Sequence, residues 1–333
     1  SFIFSVCLFF CSTSSNCSGQ TNKPIISNSL EKIRLQLKWK HQFQFAGYYA
    51  ALEKGYYTDL GLDVEILEIK DGEDSIDIVI GGKADFGVAM SDLVTKRAHG
   101  IPVVALAAIF QHSPLVLLAP QTTGIQNIHD LVGKKIALEN HSEELLAYFK
   151  LEKVARKEML FYPHKFSINK LIKNEVDAIS AYSTDEPFLL IRNNISFSTF
   201  SPRAGGIDFY GDTLFTSEEQ IKNHPKRVEN FLNASLKGWK YAMNNSDEII
   251  NLIYSKYSKR HSKEHLQFEA EESKKLIMAE VIELGYMNPG RWQHIVETLK
   301  SLNQIPSNFS LDGFLYNRNK EQTHKWIYIS LAG

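Results

Sequence analysis

The chain of 333 residues has only three cysteines, Cys7, Cys11 and Cys17, all in its opening stretch. The body therefore carries no thiol, and a soft metal centre would have no thiolates to draw on. Charge of one sign is lacking too: Lys+Arg 37 stand against Asp+Glu 38, a net charge of -1. Without a basic excess there is no electrostatic footprint for nucleic acid, and without an acidic tail no solvating segment. Internal repeats and low-complexity linkers are also missing, so any lobes belong to one unit. What remains is ordinary globular composition, 44% hydrophobic and 23% charged. This length suffices for one large domain or two medium lobes with substantial cores. The partner expected of such a chain is small.

The opening "SFIFSVCLFFCSTSSNCSGQ" is apolar and then small and polar, as in the later part of a secretory signal. The apolar part is too short to span a membrane. Residues 1–24 are read as a signal remnant and linker, which implies an exported, periplasmic or extracytoplasmic body. Cys17 sits where a lipid anchor could attach, but the preceding "SSN" fits such a site poorly. At the far end "KWIYISLAG" turns apolar after a polar run. Residues 315–333 read either as a frayed tail or as the start of a transmembrane helix, with Trp326 and Tyr328 at the interface.

Between these ends the pattern is α/β. "IRLQLKW" (Ile33 to Trp39) and "LDVEILEI" (Leu62 to Ile69) alternate as strands do. "FAGYYAALEKGYY" lies between them as a short helix, with Gly55 as its stop. "SIDIVIGGKADFGVA" gives a helix, a Gly-Gly stop and a short strand, and "DLVTKRAHG" another helix. Ile101 to Phe110 is a continuous apolar run of the kind buried on both faces of a parallel sheet. The pattern then restarts. A short helix at Asn127 to Leu131 precedes a strand at Lys135 to Leu138; a helix in "HSEELLAYFKLE" and a helix running into a strand in "LIKNEVDAISAY" follow. From about Thr216 helical periodicity dominates. Alternating strands and helices with such runs mean an α/β fold.

Several segments are similar to one known family: "LQLKWKHQFQFAGYYAALEKGYYTDLGLDVEI", "GGKADFGV", "GIPVVALAAIFQHSPLVLLA", "DLVGKKIAL", "EVDAISAYSTDEPFLL", "GIDFYGDTLFTS" and "GYMNPGRWQHIVETLKSLNQIP". Together they cover roughly Ile33 to Phe314. They resemble the periplasmic substrate-binding-protein-like domains related to thiamine pyrimidine synthase and to receptors for alkanesulfonates and pyrimidine precursors. "FQHSP" and "DFYGDTLFT" look most like a subgroup found as the extracytoplasmic part of membrane sensors. The resemblance implies a type II periplasmic-binding-protein-like fold: two α/β lobes joined by two crossings, closing by hinge motion on a ligand between them. It places one discontinuous lobe at 27–118 plus 207–314, with the C-terminal helices, and the other at 119–206.

Ligands in open α/β sheets sit beyond the carboxyl ends of strands. By that rule the first strand end offers Trp39, His41, Gln42, Phe43, Gln44 and Tyr48, with rings to stack and amides to orient a ligand. Phe43 and Phe45 have a competing role in the core, and Gly47 allows close approach by either ligand or helix. Ser91 and Asp92 stand at a strand-to-helix junction, where an N-cap needs such residues in any case. Gln111, His112 and Ser113 form a turn against Pro114 after a buried strand. Glu139, Asn140 and Ser142, and then Tyr182, Asp185 and Glu186, occupy strand ends in the second lobe. Tyr210 and Asp212 follow where the chain returns to the first. So many acidic candidates suit a ligand with donors, such as an amine or aminopyrimidine, better than a sulfonate.

Two enzyme readings compete. The resembled synthase carries a lysine for pyridoxal phosphate, a histidine consumed as substrate, and a cysteine-rich iron motif. The first two should fall on "VAMSDLVTK", where Ala89, Met90, Ser91 and Asp92 stand; the third on "IDFYGDTLF", which has no Cys. A Schiff base needs the amine. Separately, "HSKEH" (His261 to His265) matches the H-x-x-E-H zinc-protease pattern, though its basic, polar flanks read as a solvated helix face. The expectation is a non-catalytic solute-binding domain without a cofactor, monomeric when isolated. It would recognise a small nitrogenous or heterocyclic ligand by cleft closure. Its macromolecular partner would be an ABC permease or membrane signalling domains in cis; the alternative is a synthase of thiamine precursor biosynthesis.

Overall fold

The structure is a computed structural model and describes residues 29–139, 142–164 and 167–317. The signal segment, Cys17, Asn140 and the apolar C-terminal stretch lie outside the described residues.

Among the described residues ten strands form two sheets of five. The first contains β1 (Glu31–Gln36), β2 (Leu62–Leu67), β3 (Phe86–Ala89), β4 (Val103–Ala108) and β10 (Thr213–Ser217), in the order β2-β1-β3-β10-β4. The second contains β5 (Leu115–Pro120), β6 (Lys135–Leu138), β7 (Leu160–Pro163), β8 (Ala178–Tyr182) and β9 (Phe197–Phe200), in the order β7-β6-β8-β5-β9. In each sheet three neighbours run parallel, β2, β1 and β3 in one and β7, β6 and β8 in the other. One strand in each, β10 or β5, pairs antiparallel with both its neighbours. Each sheet with its helices makes one lobe, and the fold is that of a two-lobe, type II periplasmic-binding-protein-like domain.

The chain crosses between lobes twice, through 109–114 after β4 and through 201–212 before β10. The crossings bond to one another: Ile109 N–H donates to the Asp212 carbonyl at 2.8 Å, Gly211 N–H to Phe110 at 3.1 Å, and Ser113 N–H to Phe209 at 3.0 Å. The two crossings thus run side by side as one paired connection between the lobes.

Local sequence explains most elements. The β1 residues Ile33 and Leu35 are buried while Arg34 between them is exposed, as alternation requires. The helix Ala46–Glu53 ends before Gly55, whose φ of 74° few other residues adopt at low cost. Its Gly47 faces the long helix Pro225–Asn244: a Cβ there would stand 2.1 Å from Trp239, and one on Gly238 2.1 Å from the Gly47 carbonyl oxygen. Gly47 therefore serves a tight helix contact.

The apolar run from Ile101 to Phe110 is only partly what its composition suggests. It forms β4, buried along its whole length, but β4 is an edge strand paired antiparallel to β10. The open side is closed by chain from the C-terminal region, with Ala105 N–H donating to Phe314 O and Tyr316 N–H to Ala105 O, each at 2.9 Å. Four strands, β5, β7, β9 and β10, have no counterpart in the periodicity: β7 is mostly exposed and β9 only partly buried, while β5 and β10 are short buried runs that follow directly on the two crossings.

Candidate ligand cleft

A cleft of about 480 Å³ opens between the lobes. Its walls come from the carboxyl ends of six parallel strands. From the first lobe they are Lys38 and Trp39 after β1, Ile69 to Ser75 after β2, and Ala89, Met90 and Asp92 at the end of β3. From the second they are Glu139 after β6, Pro163 and His164 at the end of β7, and Tyr182 closing β8. A larger concavity of about 830 Å³ lies elsewhere, between the helix Pro225–Asn244 and residues 274–284. It draws on the first lobe alone.

Two aromatic rings, one from each lobe, meet across the cleft: Trp39 and Tyr182, with centroids 6.4 Å apart and planes 30° from parallel. Beside them Lys38 reaches across, donating to the Tyr182 hydroxyl at 2.7 Å while pairing with Asp212 Oδ1 at 2.9 Å. The Tyr182 hydroxyl donates onward to Met90 Sδ at 3.0 Å. Burial holds the Tyr182 phenol well above its ordinary pKa, with nearby carboxylates adding to the effect, so it stays a neutral donor. Burial also pushes the Asp212 carboxyl up, although the Lys38 ammonium and Gln44 amide oppose the shift.

Five carboxylates line the walls, Asp71, Glu73, Asp74, Asp92 and Glu139, against the ammoniums of Lys38 and Lys70. Lys38 is already committed to Asp212. Asp74 caps the helix Ser75–Ile80 by accepting from Ile76 N–H at 2.7 Å and pairs with Lys96 at 2.9 Å. Burial pushes the His164 imidazole down to about 4, aided by the Lys170 charge, so a neutral ring faces the cleft rim.

Of the residues expected from sequence, Trp39, Asp92, Glu139 and Tyr182 stand on the cleft wall. Asn140 lies outside the described residues, and the others are placed elsewhere, each for a physical reason. Gln42, Phe43, Gln44 and Tyr48 are buried in the first lobe. Phe43 and Gln44 instead present their backbone N–H groups to the buried Glu269 carboxylate, at 2.9 and 3.2 Å. Tyr48 packs edge-on against Trp239. His41 is tied back to Tyr49, Nδ1 to hydroxyl at 2.8 Å, and so turns from the cleft. Ser91 donates to the Tyr210 carbonyl at 2.7 Å, and Ser142 to the Glu139 carbonyl at 2.8 Å.

The crossing turn is likewise structural. Gln111 donates to Ala108 O and Tyr286 O at 3.1 and 3.0 Å, and the Ser113 hydroxyl accepts from Leu115 N–H at 3.1 Å. His112 Nδ1 meets Asp208 Oδ1 at 2.7 Å, and Arg291 grips the other carboxylate oxygen at 3.0 Å. Tyr210 lies under Arg291 and accepts from Asn288 N–H at 2.8 Å. Glu186 accepts from Tyr182 N–H at 2.8 Å, and Asp185 turns to His261 and His265. Asp212 forms the floor behind Lys38, one layer below the cavity.

Sequence reasoning missed Lys38, Ile69 to Ser75, Ala89, Met90, Pro163 and His164. The signal for the second group was available, since it follows a parallel strand as Trp39 does. His164 was hidden with the unrecognised β7.

Comparison with known proteins now decides the family. The model of the "NMT1/THI5 like" family matches residues 42–249. The chain belongs to this family. Among curated relatives it is similar to the formylaminopyrimidine-binding protein of Halalkalibacterium halodurans, 24% identical over 85% of this chain and 88% of that one. It is also similar to the riboflavin-binding protein RibY of Chloroflexus aurantiacus, 23% identical over 69% and 67% of the two chains. The 4-amino-5-hydroxymethyl-2-methylpyrimidine phosphate synthase of Legionella pneumophila is 31% identical, over only 33% of this chain and 35% of its own. In fold, the chain is similar to the alkanesulfonate-binding protein SsuA of Xanthomonas axonopodis pv. citri, with a TM-score of 0.65 at 11% identity, covering 86% of this chain and 98% of that one.

Proposed function

We propose that this member of the family is a non-catalytic, exported solute receptor whose cleft closes on a small, flat, nitrogen-bearing heterocycle. The observation that carries the reading is the Trp39–Tyr182 pair, one ring from each lobe, set among carboxylates. A planar ligand entering between lobes gains stacking on both faces, and ring N–H groups find acceptors in a cleft with more carboxylates than ammoniums. A sulfonate would meet those carboxylates as like charges, with Lys38 already engaged. The two relatives that match along most of this chain are named as binding proteins for a pyrimidine and for riboflavin, which agrees.

The synthase reading has less behind it. The stretch where the resembled enzyme carries its lysine and histidine contributes Ala89, Met90 and Asp92 to the cleft wall, and none of these can form a Schiff base. The receptor would present its closed form to a membrane permease, since ligand must favour the closed state to signal anything.

A thermal-shift screen of the purified chain tests the proposal, using formylaminopyrimidine, riboflavin, amino acids and alkanesulfonates. At about 100 times its Kd a ligand adds about 2.7 kcal/mol and raises the melting temperature measurably. A shift with a pyrimidine or flavin supports the reading; a shift with sulfonates alone overturns it. An aldimine absorbance on adding pyridoxal phosphate and iron would reinstate the enzyme.

A further inference from the structure

The "HSKEH" segment is not the solvated helix face its flanking charges suggest. His261 and His265 are buried, 7% and 1% exposed, and so is Asp185 at 4%. Ser262 caps the helix Lys263–Ile277, so His261 precedes the helix and His265 lies in its first turn. The turn still brings the two imidazoles together, with centroids 3.8 Å apart. Asp185 comes from the other lobe. It occupies the N-cap position of the helix Glu186–Arg192, yet its side chain makes no capping bond and points to the histidines.

Asp185 Oδ1 lies 2.8 Å from His265 Nε2 and 3.7 Å from His261 Nε2. All three atoms are buried without a hydrogen-bond partner, and the ligating atoms lie within 4.8 Å of one another. Beyond the close Asp185–His265 contact these converging atoms have no polar partner, and buried polar atoms left so are costly unless something fills their shared centre. Two imidazole nitrogens and one carboxylate oxygen are a donor set for a borderline divalent ion. With bonds of about 2.0–2.1 Å, tetrahedral zinc needs ligand atoms about 3.3 Å apart, a value that the two Asp185–histidine separations of 2.8 and 3.7 Å bracket. Phe188 stacks on His265 at 4.5 Å and fixes the ring's orientation. Other charges also face the site. Arg260 stands 3.9 Å from Asp185 Oδ2, while the buried Glu186 and Glu269 act on the same carboxylate and offset that cation.

We propose that Asp185, His261 and His265 bind one divalent transition-metal ion of the zinc class, and that this ion ties the second lobe to the C-terminal helices of the first. Three protein ligands leave one position for water. The site is separate from the ligand cleft, whose lining includes none of the three, and it does not depend on which solute the cleft takes. Bound metal would favour the closed arrangement, because the ligands come together only when the lobes do.

The test uses the full chain with Cys7, Cys11 and Cys17 replaced by serine, so that no thiolate competes. The protein is stripped with chelator, given Zn²⁺ and freed of excess. Elemental analysis is expected to find one zinc per chain. Hydrogen exchange across Thr184 to Phe188 is expected to slow on zinc addition. His261→Gln, His265→Gln and Asp185→Asn should each weaken zinc binding at least tenfold. Failure of the parent to retain zinc, or full retention by a folded His261→Gln/His265→Gln variant, overturns the proposal. If that variant does not fold, the Co²⁺ spectrum of the parent decides. Intense four-coordinate bands without thiolate charge transfer support the site, and the pale spectrum of hydrated cobalt overturns it.

Discussion

Two loops leave neighbouring parallel strands side by side and meet different fates. After β1 the chain reads Lys38 to Phe45, and after β2 it reads Ile69 to Ser75. The first loop contributes only its opening residues, Lys38 and Trp39, to the cleft, then dives into the lobe; the second lines the cleft along its whole length. The difference is chemical. Phe43 and Phe45 carry enough apolar area that the interior outcompetes the cleft, and Gln42 and Gln44 follow them because buried polar partners are waiting. Asp71, Gly72 and Glu73 have no such reward and stay at the surface. Strand-end position nominates a loop for the site; side-chain hydrophobicity decides how much of it arrives there.

The sharpest way to break this comparison is Phe43→Ala. As a fully buried aromatic it should cost about 3–5 kcal/mol, read from urea denaturation. Asp71→Ala in the other loop should stay within about 0.5 kcal/mol. Similar values for the two would mean that Phe43 faces the cleft after all.

Lys38→Met comes next, because it leaves Asp212 buried with only Gln44 as partner. The expected loss is about 3 kcal/mol at pH 8. The sign with pH follows from the raised carboxyl. A carboxyl whose folded pKa lies above its unfolded value binds more protons when folded, so stability falls as pH rises through that interval. Removing the ammonium lifts the folded value further. The variant should therefore be closer to wild type at pH 5 than at pH 8 in paired thermal melts; the opposite order would mean that Lys38 does not hold Asp212.

Asp74→Ala asks whether the second loop is itself anchored. The substitution removes a helix cap and the bridge to Lys96, and should cost about 1 kcal/mol. A neutral result would show that helix Ser75–Ile80 is fixed by its packing alone.

These cases also show what the sequence can and cannot reveal. The α/β class and most helices were legible because they depend on local period and on one-sided burial, whereas the two crossings came only with the family resemblance. The short helix with its stop at Gly55 and the strand at Lys135 to Leu138 are found where expected. Cleft membership was less legible. Gln44, His112 and Asp212 are polar residues beside a site, and only their partners show that they brace it: Glu269 is 225 positions from Gln44 and Asp208 is 96 from His112. Long-range pairing of that kind leaves no periodic trace. The buried His261–His265 pair was masked in the same way, by charged neighbours that themselves face solvent.

Among the cleft and loop-anchor substitutions Trp39→Ala should change stability little, and it bears most directly on function. Trp39 is half-buried beside Tyr182, outside the fully packed core, so its removal should cost no more than about 1 kcal/mol. Loss of one stacking face should nonetheless weaken a bound heterocycle by about five- to tenfold, a stacking contribution of about 1 kcal/mol. Calorimetric titration with whichever pyrimidine or flavin shifts the wild type provides the measurement, with Phe43→Tyr as the core control. A large loss of stability with unchanged affinity would move Trp39 into the same class as Phe43. It would leave Tyr182 and the carboxylate-lined loop after β2 as the recognition surface, and the ligand would then be gripped mainly by hydrogen bonds.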